Sequence, residues 1–74
     1  MKLIEGKIGF CYKVEDMALE KLIERRLGAL GLTKGTKLYL LNKKGGSLIF
    51  KVRGTRLAVG KKIAEAIFVE EAAS

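Results

Sequence analysis

The chain has one thiol, Cys11, and no histidine. A cysteine nucleophile needs a neighbouring base, so a cysteine–histidine pair cannot be assembled, and no imidazole is available as a general base near neutral pH. The same inventory excludes an internal disulfide and the usual zinc clusters. Carboxylates pair at Glu15 with Asp16 and at Glu20 with Glu24. Both pairs read as helix capping and a solvated helix face, where acidic side chains gather near the positive end of the helix dipole. The glycine pairs match neither a phosphate-cradling loop nor a dinucleotide fingerprint. No catalytic residue, cofactor or metal site is therefore assigned. Stable iron(II) sites use imidazole or carboxylate clusters, and the chain offers neither in a form that converges. Cys11 itself reads as a small packed residue of a strand.

Binding is the chemistry that remains. Lys and Arg number 15 against 8 Asp and Glu, a formal net charge of +7. From Thr36 to Lys62 there are eight basic residues and no acidic one, whereas the first 35 residues carry seven basic and five acidic side chains. Such asymmetry points to an acidic protein surface or a nucleic acid as partner.

These side chains must be held by a small fold. Seventy-four residues make one domain, 1–74, with 49% hydrophobic and 31% charged residues and no proline, a globular balance. No apolar stretch approaches the roughly 20 residues that span a bilayer, and the start lacks the apolar block of a signal peptide. Direct membrane insertion is not expected, and the chain reads as cytosolic. Ile8, Phe10, Tyr12 and Val14 alternate with Gly9, Cys11 and Lys13 as a first strand. Asp16 is placed to cap a helix of about four turns ending at Leu30, with Leu19, Leu22, Ile23, Leu27 and Leu30 inward and Gly31 as terminator. Thr36–Leu41 and Ser47–Arg53 read as a hairpin. If Leu38 and Leu40 share a face with Leu48 and Phe50, Leu40 opposes Leu48 and Tyr39 opposes Ile49. A two-residue loop of Gly54–Thr55 then sets Arg53 opposite Arg56 in a fourth strand. Lys61–Ala66 has room for one helical turn that turns Ile63 inward, and Ile67–Val69 closes as a fifth strand. Five short strands and one long helix have the content of a small, mainly β, half-open barrel.

In that register Tyr39, Leu41 and Ile49 point away from the core among Lys37, Lys51, Arg53 and Arg56, a candidate partner-binding patch. Lys37 falls opposite Lys51 and Arg53 opposite Arg56, like-charge pairs that an acidic partner would relieve. A single-stranded nucleic acid is the alternative partner, but Tyr39 is the one aromatic placed outward, and stacking platforms use several.

Arg26-Leu27-Gly28-Ala29-Leu30-Gly31-Leu32-Thr33-Lys34-Gly35 resembles the Arg-Leu, Leu-Gly-Leu and following Gly signature of the FeoA family of small ferrous-iron transport proteins. Val52-Arg53-Gly54-Thr55-Arg56-Leu57-Ala58-Val59 is similar to that family's Val-x-Gly turn, and Ala64–Val69 to its closing Ala-x-x-Ile-x-Val. The family is related to the C-terminal domain of iron-dependent repressors. The pieces cover nearly the whole chain in order. Lys34 stands where the family has proline, the 42–47 loop lacks its Pro-Gly-Pro character, and Val59-Gly60 replaces its Leu-Arg pair. The resemblance implies an SH3-like five-stranded barrel with one α-helix, a cytosolic location, no catalysis and an accessory role beside the membrane transporter FeoB. FeoB, a second copy of the chain and another cytosolic protein are the partners it leaves open.

Overall fold

The computed structural model describes residues 1–73. Five strands, β1 (Cys11–Met17), β2 (Lys37–Lys44), β3 (Ser47–Val52), β4 (Thr55–Val59) and β5 (Ile67–Glu71), form one antiparallel sheet in the order β4-β3-β2-β1-β5. Helix α1 spans Lys21–Ala29 and α2 spans Lys61–Ala66, and a single 3₁₀ turn covers Leu3–Glu5. The period-two pattern holds where it is strongest: Leu38, Leu40, Leu48, Phe50 and Val52 all turn inward and are buried. Leu3, Leu27, Leu32 and Ala64 cover them from the turn, α1, its following loop and α2.

Two features refine the expectation of a half-open barrel with one helix. The Lys61–Ala66 segment is a second helix, with Ala64 fully buried and Ile63 packed partly against the core. The strand ladder is also open, because β4 and β5 lie at opposite edges and do not pair with each other. The N-terminus occupies the edge that closure would need. The Met1 ammonium donates to the Val69 carbonyl at 3.0 Å, the Val69 N–H donates to Met1 O at 2.7 Å, and Lys2 bridges Phe68.

Both hairpins keep the expected inward parity in a different register. Gly45 and Gly46 both have positive φ and form a two-residue loop that pairs Lys44 with Ser47. Continued unbroken, that register would set Leu40 against Lys51 and turn one strand's apolar set outward. A bulge between Leu40 and Asn42 absorbs one residue, Leu41, so Leu40 opposes Phe50, Tyr39 opposes Lys51 and Leu38 opposes Val52. The second loop is Arg53–Gly54, not Gly54–Thr55. Arg53 (φ 50°) and Gly54 (φ 78°) are both in the left-handed region, so Val52 closes on Thr55 and Lys51, not Arg53, faces Arg56.

The first strand and the helix are shorter at one end than their patterns suggest. Gly9 takes φ 89°, which breaks the alternation before Cys11 and leaves Ile8 and Phe10 about half exposed. The strand then runs through Asp16 to Met17, because a bulge between Val14 and Asp16 lets it stay paired with β5 and bury Met17. Asp16 is thus a strand residue and caps nothing, and α1 starts behind Glu20 with no side-chain cap. Leu22 and Leu30 are exposed, leaving Leu27 buried and Leu19 and Ile23 packed against the core. The helix ends as expected. The Leu32 N–H bonds the Leu27 carbonyl and the Gly31 N–H the Gly28 carbonyl, the paired bonds that a left-handed residue at Gly31 (φ 103°) permits.

Gly6 is buried because the N-terminal turn crosses the sheet at contact distance. A Cβ there would lie 3.0 Å from the Leu3 carbonyl oxygen, 3.1 Å from Tyr12 Cε2 and 3.2 Å from Leu40 Cδ2. Gly6→Ala is therefore expected to destabilise the fold by about 1–3 kcal/mol through overpacking, read as a lowered urea midpoint.

Candidate protein-binding face

The outward face of the sheet is built by side chains that alternate with the core. Cys11, Tyr39, Lys51 and Arg56 oppose one another pairwise and make one row across β1, β2, β3 and β4. Tyr39 is 41% exposed, Lys51 and Arg56 are exposed, and Cys11 is half-buried beside Tyr39 and outside the core. A neighbouring row sets Lys37 opposite Lys13, and Lys13 opposite Glu70 on β5. Of the seven residues expected to share a patch, Tyr39, Lys51 and Arg56 are adjacent, and Lys37 lies one row away. Leu41 sits at the bulge and Ile49 faces Ala58, both half-buried.

Arg53 belongs to the loop and serves another contact. Its Cδ lies 3.1 Å from where a Cβ on Gly31 would be, so its stem rests on the end of α1, where a cation complements the helix dipole. The like-charge opposition survives with other members: Lys51 faces Arg56, and Lys37 faces Lys13.

Sequence reasoning missed that Ile8 and Phe10, next to this face in the chain, are exposed. The Gly9 N–H donates to Leu40 O at 2.8 Å and the Leu40 N–H to Phe10 O at 3.0 Å, which ties this segment alongside β2. The Tyr39 hydroxyl lies 3.9 Å from the Cβ position of Gly9, between exposed Ile8 and Phe10 in sequence. The available signal was Gly9 itself, since a glycine inside a strand pattern marks a break or a bulge. A separate open groove of about 440 Å³ is lined by Met17, Lys21, Glu24, Arg25, Leu32, Thr33 and Lys34, none of them expected site residues.

Few of the cations are neutralised internally. The one ion pair among the described residues joins Lys34 Nζ to Asp16 Oδ1 at 3.3 Å, with both side chains 62% exposed. Asp16 is held below its ordinary value of 3.8, first by the Met17 N–H that donates to its Oδ1 at 2.8 Å and then by Lys34. A carboxyl depressed in the fold contributes stability above its unfolded value and loses it as pH falls through the lower folded one. In an NMR titration Asp16 is expected to ionise below 3.8. Lys34→Ala should raise that midpoint only in part, because the Met17 N–H remains. Among the described residues no three His, Cys, Asp or Glu side chains converge on a common point that could hold a metal ion.

Comparison with known proteins agrees over the whole domain. The FeoA domain family matches residues 1–71. The FeoA protein of Chlorobium tepidum, known from a solution structure, is 35% identical and superposes with a TM-score of 0.91 over 99% of this chain and 71% of that one. The Methanocaldococcus jannaschii protein that carries the provisional name Fe(2+) transport protein A is 27% identical over 70 residues, covering 88% of this chain and 85% of that one. A manganese-dependent transcriptional repressor superposes with a TM-score of 0.86 over 97% of this chain and 41% of its own, at 17% identity, a likeness of fold alone. With its helix ending, its turns and its closing strand all falling inside the matched 71 residues, the chain belongs to the FeoA domain family.

Proposed function

We propose that this chain is a non-enzymatic cytosolic accessory protein of ferrous-iron uptake, and that it acts by docking the outward face of a half-open SH3-like barrel on the cytosolic part of the transporter FeoB. The observation that carries this reading is the row Tyr39–Lys51–Arg56 on the outward face, an exposed aromatic beside two cations that no carboxylate among the described residues pairs with. An exposed ring supplies affinity, and charges at its rim set the partner's sign and speed the encounter. Iron is the transporter's cargo in this reading and is not held by the chain. Titration with Fe(II) or Zn(II) is expected to give no saturable site of micromolar affinity or tighter, and one such site would redirect attention to Cys11.

Immobilised protein, exposed in turn to the cytosolic part of FeoB and to single-stranded RNA over a salt series, tests the assignment. Binding of FeoB with modest salt dependence is expected. Retention of RNA alone, collapsing by orders of magnitude between low and moderate salt, would make the face a nucleic-acid surface.

A further inference from the structure

The sheet has two edges, and the chain treats them differently. The β5 edge is covered by Met1 and Lys2, whereas β4 has β3 on one side and no strand on the other. The Arg53–Gly54 loop makes Val52 and Thr55 the closing pair, so Thr55, Leu57 and Val59 direct their N–H and C=O groups to β3. Arg56 and Ala58 alternate with them and direct theirs outward. None of these four backbone groups has a hydrogen-bond partner among the described residues. Helix α2 follows directly but packs mainly on the N-terminal turn, β3 and β5.

We propose that β4 is a docking edge for an extended acidic segment of another protein, which adds beside Arg56–Ala58 as a sixth strand. An edge with unpaired backbone groups is a template for any chain, and a cation on it is a common device against indiscriminate pairing. Here the cations also choose the sign of what is admitted. Arg56 lies beside Lys51, Arg53 stands in the loop between them, Lys61 and Lys62 follow the strand, and residues 36–62 contain no acidic side chain. A second copy would bring the same cations against these and be repelled. An acidic strand gains the backbone bonds and relieves the Lys51–Arg56 opposition together.

The pleat sets the pattern of the guest. Arg56 and Ala58 are exposed on the outward face, while Leu57 opposes Phe50 and is half-buried at the rim of the core. The matching segment alternates acidic residues, beside Arg56, with branched apolar ones, beside Leu57. The five residues of β4 limit it to roughly four to six residues. This edge is distinct from the face assigned to FeoB and shares only the Lys51–Arg56 pair with it, so the test is made without the transporter.

Isotope-labelled protein titrated with the peptide acetyl-(Val-Glu)₃-amide is expected to show saturable shifts and at least about tenfold slower hydrogen exchange at the Arg56 and Ala58 amides. The same peptide N-methylated at its two central residues should bind about tenfold more weakly or worse, because either of its edges then lacks a donor. Acetyl-(Val-Lys)₃-amide should leave the protein unperturbed, and Arg56→Glu should reverse the preference between the two peptides. Absence of any change at the two amides, equal binding of the N-methylated peptide, or shifts confined to Tyr39 and its neighbours would each overturn the proposal.

Discussion

Phe50→Ala is expected to lower the unfolding free energy by about 3–5 kcal/mol, while Phe10→Ala should cost under about 1 kcal/mol. Phe50 is fully buried between Leu40 and Leu57 on its two neighbouring strands, so removing its ring loses transfer energy and leaves a cavity that paired backbones cannot collapse to fill. Phe10 is 48% exposed in front of β1 and leaves no such void. At 74 residues the total stability is roughly 4–11 kcal/mol, so the Phe50 variant loses a large part of it and, at the lower end of that range, is unfolded. Phe50→Leu keeps most of the volume and should lose roughly half as much, which leaves a measurable urea transition. Equal losses at positions 10 and 50 would contradict the break at Gly9.

Tyr39→Ala should weaken binding of FeoB by about 1–3 kcal/mol with folding intact. Tyr39 stands at the middle of the outward row, with Cys11 on one side and Lys51 on the other, and its hydroxyl reaches over Gly9. Its ring can bury a large area at the cost of few rotatable bonds, whereas Lys51 and Arg56 must be desolvated to contribute as much. Lys51→Ala and Arg56→Ala are therefore expected mainly to slow association and flatten its salt dependence. Surface plasmon resonance separates the two effects, with Tyr39 acting on dissociation and the cations on association. A Tyr39→Ala variant that binds FeoB as the wild type does would remove the outward row from the interface.

The β2–β3 hairpin shows how much of the fold was legible. Leu38, Leu40, Leu48, Phe50 and Val52 declare their burial by alternation, since the side-chain period of a strand is two and the apolar set must share a face. That constraint fixes parity and nothing finer. A register displaced by two residues satisfies it equally, and the choice between Leu40 facing Leu48 and Leu40 facing Phe50 lay with the Gly45–Gly46 loop and the Leu41 bulge. The candidate site inherits this: Tyr39, Lys51 and Arg56 were each legible as outward residues, but which of them touch was not. Lys51 faces Arg56 only because Arg53 accepts a positive φ that sequence rules give to glycine or asparagine.

The sequence by itself determined the class of the chain: small, basic and mainly β, without histidine, with a helix ending and turns that carry the FeoA family pattern. Those properties depend on composition and on contacts between residues close in the chain. Only the tertiary structure decided that Asp16 belongs to a strand, that Phe10 is half exposed while Leu3 is fully buried, and that Met1 and Lys2 cover one sheet edge while β4 keeps the other open. The place of Asp16 and the covered edge follow from pairing between segments about fifty or more residues apart, and the exposure of Phe10 from the backbone break at Gly9 where its segment meets β2. Local periodicity carries no record of either.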